Sequence, residues 1–301
     1  FKSENTPIEI SYNNEVIDGI FSINSGSSIS ASGFGFRGGQ LDPFGQSGNA
    51  ANPDEVRYLG TPIASEGSEK GESIYGHYAE YDNIDSRYGI GATANGGGGG
   101  GHQNCGGGGG SNVSSSITGY TGKGIPTGYV AAWDQESPSF SASASPGGGR
   151  GGYALSEVSQ SPITNGPNLS SWNGDARKSN GGLGGHPLLY DSNRLFFGGG
   201  GGAGDQDSNQ GGAGGAGGGL VYISSYGTFI GSGSITANGS NGQNTNPNNE
   251  TVSFFEPKKG NDGAGGGGGG GAIYIEAAVA VPPALTLSAI GGNGGDQNIS
   301  L

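Results

Sequence analysis

The feature that most constrains this chain is a pair of glycine tracts placed directly before a strand-like segment. Residues 195–204 read Leu-Phe-Phe followed by glycines and one alanine, residues 205–210 are polar, and residues 211–219 are again glycine and alanine. Leu220-Val-Tyr-Ile223 follows at once and is typical of a β-strand. Glycine loses more conformational entropy on ordering than any other residue. Such tracts therefore stay flexible unless regular bonding between chain segments offsets that cost.

One arrangement offsets it. Extended left-handed helices with three residues per turn, rising about 3.1 Å per residue, bundle side by side when no side chain separates them. Ala213 and Ala216 are three residues apart, so such a helix places both methyl groups on one edge. The alternative is a flexible spacer, which is normally poor in aromatic residues. This chain has 13 Tyr, 11 Phe and 2 Trp, and that composition favours the bundle.

Charge and cysteine content exclude several classes of partner and site. The 301 residues include 25 Asp and Glu against 12 Lys and Arg, and the net charge is −13. An acidic chain repels phosphate backbones and anionic lipid, so we expect neither nucleic acid nor a membrane surface as a partner. No apolar run approaches the roughly 20 residues that cross a bilayer. Cys105 stands alone, so the chain has neither a disulfide nor a pair of zinc-binding thiols.

A two-strand unit occurs three times along the chain. Each copy is a strand, a turn and a second strand, followed by alanine and a small-residue exit. The second strands and their exits are Ser28-Ile-Ser-Ala-Ser32, Ser234-Ile-Thr-Ala-Asn-Gly239 and Leu285-Thr-Leu-Ser-Ala-Ile-Gly-Gly292. Glycine runs precede the second and third copies, at residues 211–219 and 263–271, but not the first.

A long polar insertion separates the first two copies. Residues 111–180 are rich in Ser, Thr and Asn, and we expect an irregular surface insertion there. Its aromatic residues are candidates for stacking on sugar rings. They are Tyr120, Tyr129, Trp133 and Trp172. The alternative for these side chains is that they pack the insertion onto the body of the domain.

Motifs that carry chemistry are weak in this chain. Gly33-Phe-Gly-Phe-Arg-Gly38 fits the dinucleotide pattern G-x-G-x-x-G, but glycine is so abundant that the match is expected by chance, and no helix follows it. Asp205 and Asp207 resemble calcium-loop carboxylates without that loop's glycine and terminal Glu, so we interpret them as a solvated turn. His77, His102 and His186 lack metal-ligand spacing. We predict no catalytic residue, no metal and no cofactor.

A set of motifs in fixed order identifies a resemblance. Together they are similar to the glycine-rich domain of Bacteroidota cell-surface proteins that are exported by the type IX secretion system and resemble gliding-motility-associated adhesins. The resemblance covers most of residues 29–295, and it implies no catalytic residues. The motifs are Gly35-Phe-Arg-Gly-Gly39, Lys70-Gly-Glu-Ser73, Arg87-Tyr-Gly-Ile-Gly-Ala-Thr-Ala-Asn95 with the glycines after it, Gly181-Gly-Leu-Gly-Gly185, Arg194-Leu-Phe-Phe197 with residues 198–205, and residues 261–271.

The sequence thus predicts an all-β fold with almost no α-helix. The body is a short β-solenoid or a sandwich-like structure, and the glycine tracts form a polyglycine II helical bundle. We expect residues 1–301 to be a single glycine-rich domain of a longer protein.

The expected function is that of a secreted, non-enzymatic cell-surface adhesin or surface-filament protein that displays loops on this scaffold. Its partners would be surface glycans or neighbouring surface proteins, together with the type IX secretion and gliding machinery. The alternatives are a phage tail-fibre receptor-binding adhesin and the secreted glycan-binding module of an enzyme.

Overall fold

The structure is a computed structural model. It describes residues 20–41, 67–84, 86–101, 106–114, 182–189, 194–206, 209–246, 258–259, 262–296 and 299–300. Within these ranges the regular elements are eleven strands and one short helix, so the predicted all-β class is confirmed. The four candidate aromatic residues of the 111–180 insertion lie outside the described residues.

The elements follow in chain order. They are β1 Ile20–Ile23, β2 Ser28–Ser30, α1 Tyr78–Asp82, β3 Val113–Ser114, β4 Leu188–Leu189, β5 Leu220–Ser225, β6 Thr228–Gly231, β7 Ser234–Thr236, β8 Lys258–Lys259, β9 Ala272–Ala277, β10 Thr286–Ser288 and β11 Ile299–Ser300. The single helix begins at a capping box, in which the His77 ring accepts from the backbone N–H of Ala79 and the Glu80 carboxylate accepts from that of His77.

The repeated unit predicted from the sequence stacks as parallel layers. Strands β2, β7 and β10 form one sheet in which Ile29, Ile235 and Leu287 share one register position. Strand β5 pairs in parallel with β9 in the same layer order. The first copy differs, because its leading strand β1 pairs with β6, an additional strand of the second copy. We refer to the three copies as the first, second and third layers.

The apolar core lies between these parallel strands. Ile23, Val221, Phe229 and Ile235 are buried together. The rings of Phe21 and Phe229 meet edge to face, with their centroids 5.0 Å apart. Because alternate residues of a strand point to opposite faces, the period-two apolar pattern places these side chains on one side of the sheets.

Residues 198–205, the central segment, hydrogen-bond to six neighbouring segments. Successive backbone N–H groups donate to three different segments in rotation, and each segment is reached again after three residues. The N–H groups of 198, 201 and 204 donate to the carbonyls of 218, 215 and 212, those of 199 and 202 to 111 and 108, and those of 200 and 203 to 72 and 69. Carbonyls of the central segment accept from 36 and 39, from 97 and 100, and from 263, 266 and 269.

Glycine is required where these segments meet. A Cβ atom at Gly199 would lie 1.8 Å from the carbonyl oxygen of Asn95, and one at Gly202 would lie 1.9 Å from that of Gly98. The backbones thus approach more closely than any side chain allows. The carbonyls of Ala213 and Ala216 accept from the backbone N–H groups of Gln243 and Ser240, so both residues bond to the same neighbouring segment.

Asparagine side chains link the second layer to the third. The Oδ1 atoms of Asn238, Asn241 and Asn244 accept hydrogen bonds from backbone N–H groups of the third layer, at three-residue steps. The donors are Ile290 at 3.0 Å, Asn293 at 2.9 Å and Asp296 at 2.9 Å. An Asn in every third position therefore supplies the acceptors for these N–H groups, while the carbonyls of residues 290, 293 and 296 accept from the backbone N–H groups of residues 239, 242 and 245.

Candidate functional site

The candidate residues that the structure describes do not gather into a chemical centre. Asp205 is buried rather than solvated, and its carbonyl accepts from the N–H of Gly263. His77 caps the helix, and the His186 ring nitrogen Nδ1 lies 2.8 Å from the carbonyl of Pro187. Asp207, His102 and Cys105 lie outside the described residues. Among the residues the structure describes, no group of three or more His, Cys, Asp and Glu side chains could hold a metal ion.

Three motifs far apart in sequence meet in one charge cluster. The Arg37 guanidinium donates to Glu69 through Nη2 at 2.7 Å and to Glu72 through Nε at 2.9 Å. Glu69, which is 2% exposed, also accepts from Arg87 Nε at 3.0 Å. Both carboxylates are thereby engaged by guanidinium groups, an arrangement that fixes three segments to one another.

The exposed side of this charge cluster is covered by an aromatic ring. The guanidinium carbons of Arg87 and Arg37 lie 4.5 and 5.4 Å from the centre of the Tyr78 ring. Burial disfavours the charged form of Arg37, but hydrogen bonding and charge from Glu69 outweigh it, so the pKa of Arg37 is raised. Burial also disfavours the charged form of Arg87, but the negative charge of Glu69 outweighs this effect, so the pKa of Arg87 is raised.

Two titratable groups are buried beside the charge cluster. Burial lowers the pKa of Lys70 to about 7. The Tyr81 hydroxyl hydrogen-bonds with Ser73 Oγ at 2.8 Å and donates to the carbonyl of Gly71 at 3.1 Å, and burial raises its pKa. Tyr81 is the member of the tyrosine-rich stretch 75–88 that packs fully into the interior, whereas Tyr75 and Tyr78 remain exposed.

The exposed face of β5 and β9 carries the most distinctive surface of the described residues. Tyr222 and Tyr274 share one register position, and their rings stack with centroids 5.3 Å apart and planes 6° from parallel. The Tyr222 hydroxyl donates to Glu276 Oε2 at 3.4 Å. Tyr226, directly after β5, is 87% exposed. We call these four residues the tyrosine face.

The tyrosine face combines two chemistries that suit a polyhydroxylated ligand. Aromatic rings offer flat apolar surface together with a polar hydroxyl. The Glu276 carboxylate is an acceptor at the edge of the stack. Shielding by the neighbouring groups and the negative charge of Glu276 raise the pKa of Tyr222.

Sequence reasoning missed the tyrosine face, although a signal for it was present. The two strands read Leu-Val-Tyr-Ile-Ser and Ala-Ile-Tyr-Ile-Glu, with Tyr at the third position of each copy. Aligning the copies and applying strand alternation would have placed both rings on one exposed face.

Comparison of the whole chain with protein-family models, curated proteins and solved structures finds no match. Within the described ranges, no helix has the length and apolar character needed to span a bilayer.

Proposed function

We propose that this chain is a secreted, non-enzymatic cell-surface adhesin or surface-filament protein in which a polyglycine II bundle displays recognition surfaces. The observation that carries the proposal is the hydrogen bonding of the central segment. Its successive N–H groups donate to three neighbouring segments in turn, so that each segment accepts from every third residue. That period is the one expected of three-residue-per-turn helices. The parallel layers beside it would form a short solenoid that extends the bundle.

The bundle suits a molecule that holds a shape under load. Most close contacts at its glycines are made by backbone atoms, and a Cβ at Gly217 would lie 1.8 Å from the Gly198 carbonyl oxygen. Between the glycine segments that the structure describes, packing of this kind leaves no room for a substrate. Function would then belong to surfaces at the rim of the bundle, namely the tyrosine face and the 111–180 insertion.

Surface glycans are the ligand class that best fits the tyrosine face. Sugar rings present flat C–H surfaces to aromatic rings and hydroxyl groups to acceptors. Tyr222, Tyr274 and Tyr226 supply the aromatic rings, and Glu276 supplies the hydrogen-bond acceptor. The net charge of −13 favours neutral or cationic ligands over anionic ones.

The proposed affiliation is with the glycine-rich surface proteins of Bacteroidota exported by the type IX secretion system. What supports it is that three of the motifs in that resemblance contact one another. Arg37 Nε donates to Glu72 Oε1 at 2.9 Å, and the backbone N–H of Lys70 donates to the carbonyl of Arg87 at 3.0 Å. Partners would then include neighbouring surface proteins and the secretion and gliding machinery.

A glycan array with the purified chain tests the function. We expect binding that falls at least tenfold in the Tyr222→Ala/Tyr274→Ala double variant and is retained in Phe34→Ala, which removes an exposed ring elsewhere. Loss of binding in Trp133→Ala/Trp172→Ala instead would assign recognition to the insertion. Turnover of a polysaccharide or peptide by the chain would contradict a non-enzymatic role.

A further inference from the structure

The outer side of the third layer is an unfinished edge. Ile235 in the second layer is 0% exposed because it is packed between Ile29 and Leu287, its register partners on either side. Leu287 occupies the same position in the third layer and is 49% exposed. Among the described residues no strand pairs with the outer edge of β10.

The side chains that join layers continue into the third layer. Asn238, Asn241 and Asn244 accept from the layer beyond them, and the residues one layer on are Ile290, Asn293 and Asp296. Two of these three, Asn293 and Asp296, again carry a side-chain acceptor, and both are exposed. The third layer therefore offers oxygen acceptors, three residues apart, to a segment that would lie beyond it.

Within the described packing, no close contact requires a glycine at position 291. A Cβ there would meet nothing closer than the Gly268 carbonyl oxygen at 3.4 Å, whereas a Cβ at the next residue, Gly292, would lie 2.0 Å from the Ser240 carbonyl. The φ angle of Gly291 also lies outside the left-handed range that favours glycine. Glycine at such a place costs stability, and what it provides is room for a backbone to approach from outside.

We propose that residues 286–296, the third-layer edge, pair with the same residues of a second copy of this chain across a twofold axis. Antiparallel contact is already used inside the molecule, where Gly292 and Gly295 donate to Gly268 and Gly265. A twofold contact is self-complementary, so one edge meets its own equivalent. The contact would cover Leu287 and Ile290, both of which are exposed in one chain.

Charge favours this occupant over an unrelated acidic surface. Asp296 is the sole charged residue of the third-layer edge, in a chain whose net charge is −13. Antiparallel pairing centred on Gly291 sets Asp296 of one copy opposite Thr286 of the other, so the two carboxylates lie at opposite ends. Two copies that meet at this edge therefore experience little local repulsion.

Analytical ultracentrifugation of the purified chain over a range of concentrations tests the proposal. We expect a reversible dimer whose dissociation constant rises at least tenfold in Gly291→Val, with thermal unfolding of the dilute protein unchanged because the site is open. Ser28→Val is the matched control, since Ser28 is exposed in β2 at the opposite end of the same sheet and shares the register of Thr286. It should leave dimerisation intact.

Three results would overturn the proposal. They are a monomer at every concentration, a dimer that Gly291→Val does not weaken, and a dimer that both substitutions weaken, which would indicate head-to-tail addition instead of twofold pairing. The proposal is independent of glycan binding, because a monomer that binds glycans contradicts only the dimer.

Discussion

The carbonyl oxygen of Gly198 lies 1.8 Å from the point where a Cβ atom on Gly217 would stand. The two residues belong to antiparallel segments, with Gly198 donating to Gly218 and Gly201 to Gly215. No side chain fits between them, so the hydrogen bonds between the two segments can form only because Gly217 has no side chain. A substitution at a single glycine should therefore lower the stability of the whole bundle.

We expect Gly217→Ala to destabilise the fold. The added methyl group must displace backbone rather than a mobile side chain, and overpacking of an interior typically costs about 1–3 kcal/mol. The free energy of unfolding, measured by denaturant titration, should fall by at least that amount. Gly291→Ala is the control, because its methyl group makes no contact shorter than 3.4 Å and should leave stability equal or slightly higher. Equal effects of the two substitutions would contradict close packing.

Glu69→Gln should be among the most damaging single substitutions in the charge cluster. It removes the charge that two guanidinium groups share, and breaking a buried pair from one side costs roughly 3–5 kcal/mol, less here because the Arg37 side chain is partly exposed. Thermal and denaturant unfolding measure the loss. Glu80→Gln, which changes an exposed pair with His77, should cost under about 1 kcal/mol. A Glu69→Gln variant as stable as Glu80→Gln would contradict this role.

Stability should rise with pH because of Lys70. Its pKa is about 7 in the folded chain against 10.5 for an ordinary lysine. Between these values the unfolded chain binds a proton that the folded chain does not, so the penalty for burial is complete below pH 7 and disappears as pH approaches 10.5.

We expect the stability of the wild type relative to Lys70→Met to improve by a few kcal/mol from pH 7 to pH 9.5, at about 1.36 kcal/mol per unit. Parallel pH profiles of unfolding for the two proteins make the measurement, and the comparison cancels titration of the tyrosines. A difference that stays constant with pH would contradict a buried neutral amine.

Asn241→Ala should loosen the junction between the second and third layers. The substitution removes the acceptor of the Asn293 N–H, and such a bond contributes about 0.5–1.5 kcal/mol. Amide exchange at Asn293 should accelerate while exchange at residues 198–204 is unchanged. Gln243→Ala, at an exposed position on the same segment, should leave the Asn293 amide as it was. Acceleration at both places would indicate that the layers are not separately bonded.

Much of the architecture was accessible from the sequence because its causes are local. Alternating apolar residues in Ser234-Ile-Thr236 and Thr286-Leu-Ser288 predicted strands, and their shared pattern predicted a repeated two-strand unit, whose copies the structure pairs in parallel. The run at residues 198–204 predicted ordered backbone packing, since glycine there has no other stabilising interaction.

The candidate site was harder to foresee because it depends on contacts between distant residues. Arg37 and Glu72 are 35 positions apart, and neither residue type indicates its partner. Asp205 was interpreted as part of a solvated turn from its polar neighbours, yet it is buried where the segments 198–205 and 262–271 meet. The additional strand β6, which pairs with β1, has no equivalent in the other two copies and so lies outside the repeat that predicted the layers.

The most direct test of the account is amide hydrogen exchange in residues 198–204 and 265–271. If these segments are mutually bonded rods, their amides should exchange orders of magnitude more slowly than those of a free peptide, at rates close to that of global unfolding. Exchange as fast as in an unstructured glycine peptide would contradict the scaffold, and the functional proposal with it.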